Sequence, residues 1–270
     1  MKFLNLGCGE KYVKSPEWLN TDMLPVGEDV VRCNFLNGIP FESHKFELVY
    51  HSHVLEHFSK TDGEKFIAEC YRVLKPGGVI RIALPNLEII AREYLKNMER
   101  ALASEQGADA DYDWIMLEMY DQTVRNTGGG AMFQYLHQDQ LPNKEYIFKR
   151  IGVGAGLYLK DAVQPKRSFS DKLKIVTKKP SIIFSKLQDG LYKLIMPSKK
   201  YAMYKTGNFR QAGEIHQWMY DRYSLGRLLE KVGFNKVEVR EADTSYIPGW
   251  ANYKLDDITE SASLFIEAVK

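Results

Sequence analysis

The chain has 270 residues, 44% of them hydrophobic and 27% charged, with a formal net charge of +2. That balance is ordinary for a soluble globular protein, allows one large or two small domains around a sizeable core, and gives no global pull toward nucleic acid. Three cysteines, Cys8, Cys33 and Cys70, have no metal-type spacing, which points to a reducing compartment and excludes a disulfide framework. No apolar run approaches the roughly 20 residues needed to span a bilayer. No signal peptide is expected, because the first strand starts almost at Met1. The expectation is a cytoplasmic protein.

The apolar run Phe3 to Leu6 reads as a short buried strand that breaks into Gly7-Cys8-Gly9. Glycine stands where a backbone turns sharply or lets a ligand come close. The dinucleotide fingerprint needs a third glycine three residues on, where this chain has Tyr12, and no phosphate-cradling Gly-Lys-Ser/Thr is present either. Trp18-Leu19-Asn20-Thr21-Asp22 reads as a second strand ending in an acid, with room for only one or two helical turns before it. Phe46 to Tyr50 reads as another strand, running into His53-Val54-Leu55-Glu56-His57. Thr61-Asp62-Gly63-Glu64 predicts a helix start capped by Thr61. Phe66, Ile67, Cys70, Val73 and Leu74 recur at helical spacing, and Pro76-Gly77-Gly78 predicts the turn into the strand at Val79 to Ile82. Leu87 to Ala103 has a helical pattern.

From Ser104 to Gly213 the core pattern stops, over a length too great for a structureless loop. The segment Asp111 to Arg125 reads as helical and Thr127-Gly128-Gly129-Gly130 as a flexible joint. Between Lys160 and Arg210 stand thirteen Lys or Arg against three Asp. Ile182, Ile183, Leu187, Leu191, Leu194 and Ile195 recur there at helical spacing, flanked by lysines. Ile151-Gly152-Val153-Gly154-Ala155-Gly156 imitates a second dinucleotide loop, but no acid follows about twenty residues on; it reads as a bend. Asp221 to Leu225 opens a helix that Gly233 stops, and Lys236 to Arg240 and Ser263 to Ala268 read as the last strands.

Taken in order, these pieces resemble the class I S-adenosylmethionine-dependent methyltransferases of the type 11 kind. Arg32-Cys33-Asn34-Phe35-Leu36 with Ile39-Pro40-Phe41 resembles that family's third strand and turn. Leu55-Glu56-His57 and Leu74-Lys75-Pro76-Gly77-Gly78 resemble its fourth-strand exit and its fifth-strand entry. The resemblance covers roughly the first ninety and last fifty residues. It implies an α/β, Rossmann-like, doubly wound seven-stranded sheet with the last strand antiparallel. The large helical insertion divides the chain into a cofactor-binding core at 1–103, an insertion or lid at 104–213 and the returning core at 214–270.

The resemblance also implies the cofactor, S-adenosylmethionine, and its contacts. Gly7, Cys8 and Gly9 form the loop beneath it. Asp22 takes the ribose diol, because a carboxylate accepts two hydrogen bonds; Asn34 and Phe35 meet the adenine, and Ser52 and His53 stand at the fourth-strand exit. Asn5 replaces the acid that many members carry, keeping hydrogen bonding without the charge. A hydroxyl nucleophile gains from a nearby base, most often histidine, and the candidates are His57, His216 and His53. Read by spacing alone, His53-Val54-Leu55-Glu56-His57 is H-x-x-E-H, a zinc-hydrolase motif. That motif needs helix on both sides, and here a strand leads into it; the expectation is no metal.

The resulting reading is methyl transfer to a polar small molecule or sugar, on oxygen. The sugar rests on the likeness of the His216-Trp218-Tyr220 region to methyltransferases of surface-polysaccharide pathways. The alternatives are a zinc-dependent hydrolase and a non-catalytic module docking through its basic insertion. The basic block at 166–200 fits a solvated face, a phosphate-bearing acceptor such as a nucleotide sugar or lipid-linked glycan, or peripheral contact with the inner membrane face.

Overall fold

The computed structural model describes residues 2–152, 180–257 and 261–270. Seven strands form one sheet: β1 (Phe3–Leu6), β2 (Trp18–Asp22), β3 (Val30–Arg32), β4 (Phe46–Ser52), β5 (Leu74–Pro85), β6 (Asn235–Arg240) and β7 (Ser263–Val269). Their order is β3-β2-β1-β4-β5-β7-β6, with β7 antiparallel to both its neighbours and β1 to β5 parallel. This is the Rossmann-like sheet with the antiparallel last strand that the resemblance implies. The chain runs outward from β1 to β3 and returns at β4, so the crevice beyond the C-terminal ends of β1 and β4 is a topological switch point.

The central strands are apolar because both faces of the sheet are covered. On one face, α1 (Lys60–Val73) and α8 (Arg222–Val232) bring Phe66, Ile67, Cys70, Leu225 and Leu229 against Leu4, Leu6, Val49 and Ile80. Asp221 caps α8 reciprocally with Ser224, and Gly233 at φ +115° ends it. On the other face no helix joins β1 to β2. The cover is an aromatic cluster of Trp18, Tyr50, Trp250 and Leu255, with Phe3 and Tyr253 packed on it. Arg81 of β5 fastens the loop that carries Trp250: it pairs with Asp256 at 2.7 Å and Glu267 at 2.9 Å and donates to three backbone carbonyls.

Three local expectations are corrected. β3 stops at Arg32, because the Asn34 side chain accepts from Leu36 N–H and starts a 3-10 turn. The cap of α1 is Ser59, which accepts from Asp62 N–H at 3.1 Å, and not Thr61, which lies inside the helix. Pro76-Gly77-Gly78 lies within β5 as an irregularity, where the pairing with β4 slips between Phe46 and Leu48.

Between β5 and α8 the described residues form α2 (Leu87–Leu102), α3 (Ala108–Val124), α4 (Gly130–Leu136), α5 (Lys144–Ile151), α6 (Pro180–Ile195) and α7 (Ser198–Gln211). Trp114, Leu136 and Ile147 give α3 to α5 a small core of their own. A buried Arg150–Glu118 ion pair crosses it. Lys149 and Arg150 accept from Ser261 and Ala262 N–H, which ties α5 to the entry of β7. The triple glycine is no loose joint: the Asp121 carboxylate caps α4 by accepting from Ala131 and Met132 N–H, in the space a Cβ on Gly130 would fill. Residues 153–156 of the glycine-rich bend and the basic residues from Lys160 to Lys179 lie outside the described residues.

His51 of β4 is fully buried on the ring of Phe66, and neither ring nitrogen has a hydrogen-bond partner. Burial pushes its imidazole down from 6.5 to about 4. The folded chain therefore binds this proton less readily than the unfolded one. Its burial carries no penalty above about pH 6.5, and stability falls by about 3 kcal/mol as the pH drops toward 4. Urea unfolding of His51→Leu should show a smaller loss between pH 7 and 4.5 than the parent protein. Equal losses in the two proteins would mean that His51 does not drive the acid limb.

Candidate active site

The site forms where β1, β2 and β4 end. Gly7 has φ +67°, and a Cβ there would lie 2.4 Å from Val54 Cγ2, so the loop after β4 closes on the glycine turn only because Gly7 has no side chain. Gly7 and Cys8 donate to the Thr21 carbonyl at 2.8 and 3.0 Å. Gly9, at φ +51°, has open space where its Cβ would stand. Its N–H donates to Asp22 Oδ2 at 2.9 Å, while Leu24 N–H donates to Oδ1 at 2.8 Å. Two backbone donors thus fix the Asp22 carboxylate beside an open glycine, and each oxygen keeps a lone pair for a diol. Asn34 is exposed across β2 and β3, its Oδ1 held by Leu36 N–H at 3.1 Å. These residues fit a ribosylated ligand lying along the edge.

Two residues read as cofactor contacts have other roles for their side chains. Asn5 is 1% exposed, and its Nδ2 donates to the Lys11 carbonyl and to Asn20 Oδ1, both at 3.3 Å. It orders the loop from behind. Phe35 is buried, with its ring 5.7 Å from that of Phe66, which leaves only its backbone at the edge. Cys8 is also buried, and desolvation, with Asp22 adding to it, pushes its thiol up to about 12, so it stays uncharged. Ser52 is the half-buried last residue of β4, in register with Ala83.

His53 follows β4 in the left-handed region, at φ +53°, a conformation rare for a residue with a side chain and frequent at functional sites. Its backbone N–H is held by the Ala83 carbonyl at 2.9 Å. Its Nδ1 lies 3.2 Å from Glu56 Oε1 and its Nε2 3.4 Å from Ser263 Oγ. Leu55–His57 is a single 3-10 turn, so the two histidines of H-x-x-E-H do not share a helix face. Glu56 is completely buried. Burial alone would raise its carboxyl, but the hydrogen bond with His53 and the nearby histidines outweigh that and hold it down at about 2.

The returning chain closes on this turn. Gln217 and Trp218 N–H both donate to the Glu56 carbonyl, at 2.7 and 3.2 Å, and Gln217 Nε2 donates to the His57 carbonyl. His216 is thereby buried with its Nε2 4.0 Å from Glu56 Oε1 and its ring 4.9 Å from that of His57. Burial pushes its imidazole down to about 4. His53, His57 and His216 therefore surround one glutamate. Sequence reasoning named the three histidines as candidate bases of one site, but not that the buried Glu56, 160 positions before His216, gathers them. It also missed Ser263, for which the sequence carries no signal.

Residues 4–82 match the family model described as a methyltransferase domain. No curated protein matches the chain. Among solved structures, the chain is similar to a SAM-dependent methyltransferase from Archaeoglobus fulgidus at 14% identity and a TM-score of 0.37, covering 100% of this chain and 86% of that one. It is also similar to Haemonchus contortus phosphoethanolamine N-methyltransferase 2 in complex with S-adenosylmethionine, at 12% identity and 0.37, covering 100% of this chain and 48% of the other. A methyltransferase from Mesorhizobium loti is similar at 11% identity and 0.36, with 100% and 90% covered. The matched segment is the part that holds the glycine loop, Asp22 and the histidine turn, and S-adenosylmethionine is the cofactor of such a domain.

Proposed function

We propose that the protein methylates a polar acceptor, a sugar or sugar-like molecule, on oxygen, using S-adenosylmethionine bound along the Gly7–Asp22 edge. The observation that carries this reading is the convergence of two built features: the Asp22 carboxylate pinned beside the open Gly9, and His53 on Glu56 at the end of the next strand. Bound there, the cofactor supplies an electrophilic methyl group on a sulfonium. The chain supplies position, which accounts for much of the rate of an in-line displacement. Asp22, Gly9 and Asn34 orient the donor; His53 takes the acceptor proton, with Glu56 holding its ring. Two residues past His216 an open cleft of about 630 Å³ begins, lined by Lys60, Trp218, Tyr220, Tyr223 and Arg227. The exposed Trp218 and Tyr223 rings beside charged groups suit a hydroxylated ring.

The test is a screen of sugars, nucleotide sugars and other polar acceptors by mass spectrometry for the gain of one methyl group. Calorimetry checks the donor side. Asp22→Ala should weaken S-adenosylmethionine binding by about 1–3 kcal/mol, since it leaves the ribose diol without its acceptor. Unchanged affinity in that variant would remove Asp22 from the site. A zinc hydrolase built on H-x-x-E-H is disfavoured because Glu56 turns to His53 instead of standing between two ligands on a helix.

The reading extends to a membrane surface. α6 and α7 pair through Tyr192 and Tyr204, 4.9 Å apart, and through Lys205 on Asp189 at 3.3 Å. Their polar faces meet, and Leu187, Leu191, Leu194 and Ile195 point outward, with Leu194 84% exposed. A hairpin in water does the reverse. Exposed Lys193, Lys199 and Lys200 border the stripe, which suits an anionic lipid surface. Among the described residues no helix is long and apolar enough to cross a membrane. The site of action proposed is therefore the inner membrane face, on a lipid-linked or phosphate-bearing acceptor. Leu187→Glu with Leu191→Glu should abolish cosedimentation with phosphatidylglycerol vesicles and leave S-adenosylmethionine binding intact. Equal sedimentation of parent and variant would end the membrane reading.

A further inference from the structure

Glu56, His57 and His216 each bring one ligand-type atom to within 4.8 Å of the others. Hydrogen bonding explains only part of this arrangement. His57 Nδ1 lies 3.1 Å from the Ile215 carbonyl. A carbonyl only accepts, so Nδ1 carries the proton and Nε2 keeps its lone pair. Glu56 Oε1 is engaged by His53, but its Oε2 is buried with no hydrogen-bond partner. A buried carboxylate oxygen without a partner is costly. His216, buried beside it, brings an imidazole and not a hydrogen-bonded cation: its Nε2 stays 4.0 Å from Oε1. A cation is the group that would satisfy the orphan oxygen and both lone pairs together.

We infer that Glu56, His57 and His216 form a binding site for a single divalent transition-metal ion of the zinc class. Two imidazoles and one carboxylate are a donor set that zinc accepts, with a fourth position left open. The partners behind the ligands are already in place. The Ile215 carbonyl fixes the His57 ring, and His53 holds the carboxylate, as outer contacts do in built metal sites. The site differs from the one H-x-x-E-H suggests, since His216 replaces His53. Such an ion staples the returning segment to the turn after β4. Glu56 and His216 are buried and His57 is half-buried, so the open position lies on the His57 side. There the ion would hold the acceptor's hydroxyl oxygen and ease its deprotonation; this last role rests on the proposed function.

Untagged protein stripped with a chelator and titrated with Co²⁺ should develop visible ligand-field bands that saturate at a single equivalent. Zn²⁺ should displace them and raise the thermal midpoint. His216→Ala and His57→Gln should abolish the bands. His53→Ala, which removes only an outer contact, should weaken binding by about 10–100-fold. Nitrogen-15 spectra of the unsubstituted protein need no variant: zinc should move the ring signals of His57 and His216 and leave His44 and His137 in place. No bands in the parent protein, or bands that persist in both ligand variants, overturn the inference. Calorimetry with S-adenosylmethionine on the metal-free protein separates the two readings. Cofactor binding without metal binding removes the ion and keeps the methyltransferase; metal binding without cofactor binding does the opposite.

Discussion

Replacing Arg81 with methionine should cost about 3–5 kcal/mol of folding stability, the range for removing one partner of a buried ion pair. Arg81 is completely buried, as are the side chains of Asp256 and Glu267 that it joins. Without it two carboxylates remain in the interior. Tyr50 and Trp250 still donate to Asp256, and Ser245 and Tyr246 N–H to Glu267, but those are neutral donors, and the Arg240 guanidinium stands 3.4 Å from Glu267 Oε2 without a hydrogen bond from its Nε. The Thr244, Glu241 and Ala242 carbonyls lose their donor as well. The consequence reaches the site. This loop covers the face of the sheet that a helix after β1 would otherwise cover, and it meets Lys11, just past the glycine turn, across a cavity of about 540 Å³. Urea unfolding followed by tryptophan fluorescence reads both effects, because the guanidinium lies 4.6 Å from the Trp250 ring. A loss below about 1 kcal/mol, the scale of an exposed pair, would show that the loop does not depend on this network.

The strands were legible because two-sided burial makes them mostly apolar, with buried polar residues such as Asn5, Asn20 and Thr21 set among them. Phe3–Leu6 and Trp18–Asp22 have the bounds that their residues predict. Asp221 and Gly233 announce α8 because capping chemistry is local. Where local signals compete, the sequence misleads. Ser59 and Thr61 can both cap a helix, and the one closer to the preceding turn does so. Pro76-Gly77-Gly78 breaks a helix anywhere, yet here α1 has already ended at Val73 and the triplet only distorts β5. Nothing local to Arg81, between Ile80 and Ile82, marks it as buried. Its burial depends on Asp256 and Glu267, more than 170 residues away. A separation of 160 residues likewise hides the meeting of Glu56 with His216. The triple glycine reads as a joint because the Asp121 carboxylate that fills it lies on another helix.

Replacing His53 with alanine should lower kcat by about 10²–10⁴-fold, the usual contribution of a positioned general base, and leave S-adenosylmethionine affinity nearly unchanged. The choice among three histidines follows from their surroundings. His216 is buried, and desolvation holds it at about 4, which makes it a weak base. His57 presents its protonated Nδ1 to a carbonyl and belongs to the metal-type trio. His53 has a side chain 42% exposed, next to the valine that closes on Gly7. Its Nδ1 faces a carboxylate, which only accepts, so Nδ1 carries the proton and Nε2 the lone pair. Ser263 Oγ, 3.4 Å away, lies on the Nε2 side and can steer it. Glu56→Gln should lower kcat as well, because an amide can turn its NH₂ toward Nδ1 and favour the wrong tautomer. The left-handed backbone at His53 adds a control. His53→Gly relieves that strain and removes the ring, so it should match His53→Ala in rate and exceed it in stability, by roughly 1–2 kcal/mol. These rates are to be measured on the acceptor that the mass-spectrometric screen yields. If His53→Ala keeps full turnover while His57→Gln loses it, the proton leaves through His57 and the assignment moves there.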